Sequence, residues 1–159
     1  MITPLTVEKA RQLLSSKHLA RLACVVNGYP YVIPINYKFE NEFIYCHSLP
    51  GTKIEGLRQH PRACVQVDEI KSDLYWKSVL VFGHYEEVVD PAQRELILDS
   101  LLREFPMLTP VESALGEGVT AQDIIVFRIR IDRITGVSEG TGSDEFLLED
   151  AADGSYSAG

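Results

Sequence analysis

Long apolar runs are missing from this sequence. None approaches the roughly 20 consecutive apolar residues of a membrane-spanning helix, and Met1 to Glu8 lack the basic-then-apolar order of a secretory signal. The expected location is therefore the cytosol, away from membranes. Cysteine is scarce as well. Cys24, Cys46 and Cys64 are odd in number, and each lies in an apolar run, where a reduced thiol behaves as a small hydrophobe. No Cys or His spacing resembles a zinc site, and no nucleophile stands in a pattern with a base. Positive charge is also in short supply, since 15 Lys and Arg against 23 Asp and Glu give a net −8. Six of those acids, Glu139, Asp144, Glu145, Glu149, Asp150 and Asp153, follow Ser138 with no base among them. Without them 17 acids face 15 bases, so the body is near neutral at −2. Neither part has the basic excess that binding a nucleic-acid backbone requires.

What is present suits one globular domain: 159 residues, 45% apolar and 24% charged, enough to bury a core. We expect that domain over residues 1–138. Residues 139–159 form an acidic tail of small residues, with one apolar patch at Phe146 to Leu148 and too little apolar surface to offset ordering entropy.

Thr6 can cap a helix that places Val7, Ala10, Leu13 and Leu14 on one face, predicted to pack over one end of a barrel. Ala20–Val26 and Tyr29–Phe39 read as strands joined by Asn27-Gly28, a pair suited to the positive φ angles of a type I′ turn. In the second run Tyr31, Ile33, Ile35, Tyr37 and Phe39 alternate with Val32, Pro34, Asn36 and Lys38, and Pro34 marks an edge or an interruption. A turn at Glu40-Asn41 leads to a strand over Phe43–His47, then a helix over Thr52–Gln59 that ends at His60-Pro61. Two more strands follow, Arg62–Ile70 and Trp76–Val89, the second with a bend or close approach at Gly83. Asp90-Pro91 opens a helix to about Phe105, with Leu96, Leu101 and Leu102 turned inward. Beyond a loop with Thr109, Pro110, Gly116 and Gly118, a last strand runs from Ile124 to about Ile134. Hairpin-joined strands with three helices around them describe an antiparallel barrel of mainly β, α+β character, not a parallel nucleotide-binding sheet.

The stretch Phe43 to Lys53 joins a strand end, a glycine loop and a helix start that carries a hydroxyl and an ammonium. Unpaired amides at a helix N-terminus, with Thr52 and Lys53 beside them, make an anion site. The plainer alternative has Ser48 or Thr52 capping the helix and Lys53 solvated.

From Ala20 to Val89 the sequence resembles the FMN-binding split barrels related to pyridoxamine 5′-phosphate oxidase, most closely the branch of nitroimidazole-resistance flavoproteins. Four motifs in order carry the resemblance: Gly28 to Ile35, Ile44 to Lys53, His60 to Val65, and Trp76 to Gly83, with Ile124 to Gly136 similar to the closing strand. It implies a split barrel and FMN as cofactor. Thr52 and Lys53 then match positions that hold the FMN phosphate, and Cys46, His47 and Ser48 match strand-end positions beside the phosphate, ribityl chain or ring edge. Ile33, Pro34, Ile35 and Asn36 match the strand whose backbone runs along the isoalloxazine. Trp76 and Ser78 match the strand that approaches the flavin of the other subunit in a homodimer.

His47 matches a flavin-side histidine and is the candidate for contact with a small-molecule substrate, against a structural strand-end role. Trp76 has a rival role as a core or interface aromatic. His60 and His84 read as structural. The implied activity is an FMN-dependent oxidoreductase passing electrons or hydride to a small organic acceptor such as a nitroaromatic or quinone. The alternatives are FMN storage or sensing without catalysis, or a groove filled by haem or a deazaflavin. The segment Ile129 to Gly136 lacks the Trp- and Arg-containing substrate motif of the vitamin-forming oxidases.

Overall fold

The computed structural model describes residues 1–105 and 122–140. The loop around Thr109 and Gly116 and the patch Phe146 to Leu148 lie outside the described residues. Eight strands and three helices follow in the order β1 (Ile2–Pro4), α1 (Val7–Ser16), β2 (Leu19–Val26), β3 (Tyr29–Asn36), β4 (Lys38–Glu40), β5 (Phe43–Ser48), α2 (Thr52–Gln59), β6 (Arg62–Ser72), β7 (Tyr75–Glu87), α3 (Pro91–Glu104) and β8 (Ile125–Glu139). All pairings are antiparallel. They connect one sheet in the order β3-β2-β6-β7-β8-β5-β4, with β1 added beside β8. The two ends of that path, β3 and β4, are consecutive in the chain and separated by Tyr37 alone. The sheet therefore curls back on itself and leaves a split between its ends, the predicted split barrel.

The hairpin turn has positive φ at both central residues, Asn27 at 50° and Gly28 at 80°, as a two-residue type I′ turn demands. Thr6 Oγ1 accepts from the Lys9 amide at 3.2 Å, and Asp90 accepts from the Gln93 amide at 3.0 Å, so both expected caps are made. Inward residues of the strands join Ala10, Leu13 and Leu14 of α1 in the main core, which includes Leu22, Ile35, Ile44, Val65, Val81 and Ile129. Tyr37 is buried at the corner, with its hydroxyl donating to the Leu14 carbonyl at 2.6 Å and its amide to the His18 carbonyl at 2.9 Å. These bonds tie the junction of β3 and β4 to α1 and to the segment that follows it. A second cluster, Val88, Leu98, Leu101, Ile124 and Val126, lies under α3.

Three expectations need correction. The run Tyr29–Phe39 is not one strand; it breaks at Tyr37, because the chain there passes from one edge of the sheet to the other. Leu96 is 73% exposed, since the buried stripe of α3 is set by Leu98 and Leu101, and Leu96 falls two residues from Leu98 on the other side of the helix. The last strand runs five residues past Ile134, through Glu139, because β1 and β7 pair with it there. In its first half Ile125, Phe127, Ile129 and Ile131 pack in or against the main core, and Arg128 and Arg130 take the other face. At Asp132 a register shift inserts an extra residue opposite Phe82 and Gly83, a β-bulge that bends the long strand.

Candidate functional site

The site grows from the end of β5. Ile44, Cys46 and Ser48 point into the barrel, whereas Tyr45 and His47 are half-buried on the other side. Ser48 does not cap the following helix; its hydroxyl donates to the Leu49 carbonyl at 2.7 Å. The N-cap of α2 is Gly51, which has no side chain to offer, and Thr52 makes no cap bond either. The first backbone bond of α2 runs from Glu55 to Gly51, so the amides of Thr52, Lys53 and Ile54 are left without helical carbonyl partners. Those amides lie at the positive end of the helix, in the same first turn that carries Lys53. Burial pushes the Cys46 and Cys24 thiols up, and Lys53 pulls both back, which puts its charge beside β5 and β2 at once. Neither thiol ionises near neutral pH.

The helix is held against the β2–β3 hairpin. Gly56 is buried, and a methyl group there would lie 2.7 Å from both the Val25 carbonyl oxygen and Val26 Cγ2. Arg58, at the far end of α2, donates to Glu87 at 2.5 Å, and the Tyr85 hydroxyl donates to the same carboxylate oxygen at 2.7 Å. The Arg58 guanidinium holds the Glu87 carboxyl below its ordinary value. A depressed carboxyl stabilises the fold above the unfolded value, near pH 4.3, and loses that contribution as pH falls through the folded value. The stability gap between the wild-type protein and Glu87→Gln is thus expected to be largest near pH 6 and to shrink below about pH 4, read by urea unfolding.

The free edges of the sheet supply the other wall. β4 covers β5 only over Phe43 to Tyr45, leaving Cys46, His47 and Ser48 paired on the β8 side alone. β3 is paired on the β2 side alone. Because Tyr37 links β3 to β4, the end of β3 lies across the split from the end of β5. Ile33 and Ile35 face the core; Pro34 and Asn36 are exposed, and the Asn36 side chain donates to the His18 carbonyl at 3.3 Å.

The structure thus places Cys46 to Ser48 just before the α2 start at Thr52 and Lys53, and Asn36 two residues ahead of Lys38, the first residue of the strand that pairs with β5. It does not bring Trp76 and Ser78 to them. β7 stands three strands from β3 in the sheet, about 14 Å at ordinary strand spacing. There Trp76 Nε1 donates to Glu139 at 3.0 Å, and Ser78 accepts from Gln66 at 3.1 Å, beside the Arg21–Asp68 ion pair. Two surface hollows lie elsewhere. One of about 260 Å³ sits between α3 and β4–β5, lined by Lys38, Tyr45, Ile97 and Ser100 among others, and a more open one runs along α1. Neither is lined by His47 or Lys53, and the split with its helix terminus explains more of the chemistry. Among the described residues no His, Cys, Asp and Glu group could hold a metal ion, and no helix is long and apolar enough to cross a membrane.

Residues 6–138 match the family described as pyridoxamine 5′-phosphate oxidase. The chain belongs to that family. Within it, an uncharacterized protein of Rhizobium meliloti is 34% identical over 140 residues, covering 81% of this chain and 89% of that one. A FAD-binding protein from Mesorhizobium loti has the same fold, with a TM-score of 0.74 and 33% identity over 88% of this chain and 99% of its own. A candidate 5-nitroimidazole antibiotic resistance protein from Bacteroides thetaiotaomicron superimposes with a TM-score of 0.68 over 87% of each chain; at 19% identity it shows the fold alone.

Sequence reasoning missed the parts of this pyridoxamine-oxidase-family site that support it from a distance. Arg58, Tyr85 and Glu87 hold α2, yet nothing in their sequence neighbourhoods marks them. Their partnership exists only once α2 lies along the end of β7. Gly56 had a weak signal, a glycine at the centre of a short helix, which costs about 1 kcal/mol unless packing requires it.

Proposed function

We propose that this protein is an FMN-binding flavoprotein that passes electrons or hydride from the bound flavin to a small organic acceptor. The observation that supports the reading is the α2 terminus: a glycine N-cap with no side-chain cap, and Thr52, Lys53 and Ile54 amides that have no helical carbonyl partner, on the chain that leaves the end of β5. One such element suits one phosphate group. Flavin supplies reversible hydride and electron chemistry when bound. The chain's share is positional: the Thr52 to Ile54 amides and Lys53 grip the phosphate, and the Asn36 end of β3 lies along the ring edge. The apolar barrel wall keeps water from one face. His47, half-buried at the end of β5, meets the acceptor.

Titration of apoprotein with FMN, FAD and riboflavin tests this. Tightest binding of FMN is expected, with a yellow protein whose absorption bleaches on reduction. Equal or tighter binding of FAD, the ligand named for the Mesorhizobium loti relative, refutes the one-phosphate assignment, and no flavin binding refutes the whole.

The proposal includes a homodimer. The outer face of β2, β3, β6, β7 and β8 exposes Leu19, Val32, Ile70 and Val137 around Trp76 and Ser78, an apolar patch of the kind that pairs with another surface. A second copy brings Trp76 and Ser78 to the flavin that its own chain holds too far away. Sedimentation equilibrium should give twice the chain mass, and a monomer with flavin fully bound would contradict it.

A further inference from the structure

The edge of β3 that lines the split has a donor pattern written by its two prolines. A two-residue hairpin makes its flanking pair, Val26 and Tyr29, a hydrogen-bonded pair, and bonded pairs then alternate along the ladder. Tyr29, Tyr31, Ile33 and Ile35 therefore bond to β2. The backbone groups of Pro30, Val32, Pro34 and Asn36 point away from it, into the split. Two of those four residues have no amide hydrogen. The edge consequently presents four carbonyls but only two N–H donors, at Val32 and Asn36, about 14 Å apart. One N–H of the Asn36 side chain goes to the His18 carbonyl, and the donor that belongs to the strand edge at that end is the backbone amide.

We propose that Pro34 is a specificity-determining residue: by deleting the middle donor of this edge, it leaves the Asn36 amide as the one backbone donor that Ile33–Asn36 offers to the flavin ring, and so limits how strongly the protein favours reduced flavin. This rests on the reading of β3 as the strand along the ring. Two-electron reduction places negative charge on the N1 and C2-carbonyl side of the flavin ring, so an N–H aimed there stabilises the reduced form, and withholding that donor holds the potential down. A proline also guards an exposed edge against pairing with other chains. That role alone would place no constraint on the flavin.

The experiment uses the FMN-loaded protein, wild type and Pro34→Ala, with Pro30→Ala as the comparison at the far end of the same edge. Hydrogen exchange of the wild-type Asn36 amide is expected to slow at least tenfold when FMN is added. In Pro34→Ala the new amide at position 34 should be protected by FMN as well. The reduction equilibrium should move about tenfold toward reduced flavin, about 30 mV for a two-electron couple, and Pro30→Ala should not move it. FMN bound normally, with residue 34 exchanging as in the apoprotein and the potential unchanged, overturns the inference and leaves Pro34 an edge guard. Wild-type measurements of Asn36 decide the matter even if Pro34→Ala aggregates: an amide that FMN does not protect overturns it too. Failure of the wild-type protein to bind FMN overturns the parent reading first, and this inference with it.

Discussion

Gly83→Ala is expected to lower the melting temperature by about 6–12 °C, the equivalent of about 3 kcal/mol in a chain of this size. Gly83 is buried in the middle of β7, opposite the bulge in β8. A methyl group built on it overlaps the Arg130 carbonyl oxygen and comes within 2.7 Å of Ile129 Cγ2 and 3.1 Å of the Arg130 carbonyl carbon. Backbone cannot step aside as a side-chain tip can, so the two longest strands must separate where they cross. Those strands carry the main core residues Val79, Val81, Tyr85, Phe127 and Ile129. Differential scanning calorimetry reads the effect, and a melting temperature within about 2 °C of wild type, the worth of at most about 1 kcal/mol, would refute the close packing. The site should survive in the folded fraction, because Lys53 and the Asn36 end of β3 lie on other elements.

Lys53→Ala should weaken FMN binding about 10- to 150-fold, the 1.5–3 kcal/mol of a charge-assisted hydrogen bond. Position 53 is the second residue of α2, and its charge reaches both Cys24 and Cys46, so it sits over the helix terminus between β2 and β5. Riboflavin has no phosphate, and its affinity should be the same for both proteins. That comparison separates a lost phosphate contact from a damaged fold. Titration of both ligands against wild-type and Lys53→Ala apoprotein checks it; equal losses for the two would move the phosphate elsewhere. Raised salt should weaken FMN binding in the wild-type protein more than in the variant, since it screens a charge only one of them has.

Some of the molecule was decided locally and could be read from the chain. Asn27-Gly28 fixes a type I′ turn because few other pairs accept two positive φ angles, and that turn fixes the register of β2 on β3. The bounds of α2 follow from Gly51-Thr52 and His60-Pro61, a glycine at one end and a proline at the other. The order of motifs from Gly28 to Gly83 identified the family that residues 6–138 match. Even the prolines of β3 state by themselves that their strand has an open side.

Other features needed the assembled fold. Alternation across Tyr29–Phe39 is unbroken in sequence, yet Tyr37 is where the sheet ends and begins again, and only its bonds to Leu14 and His18 show that. The inward face of α3 depended on what it packs against, so Leu98 took the place assigned to Leu96. The tail of β8 exists because β1 and β7 pair with it, while its own Thr-Gly-Val-Ser-Glu composition has little strand character. Arg58, Tyr85 and Glu87 meet across 29 positions of chain. Sequence determines what each segment prefers by itself; which edges lie opposite each other, and so which residues share a site, is settled when the sheet closes and distant segments compete for the same core.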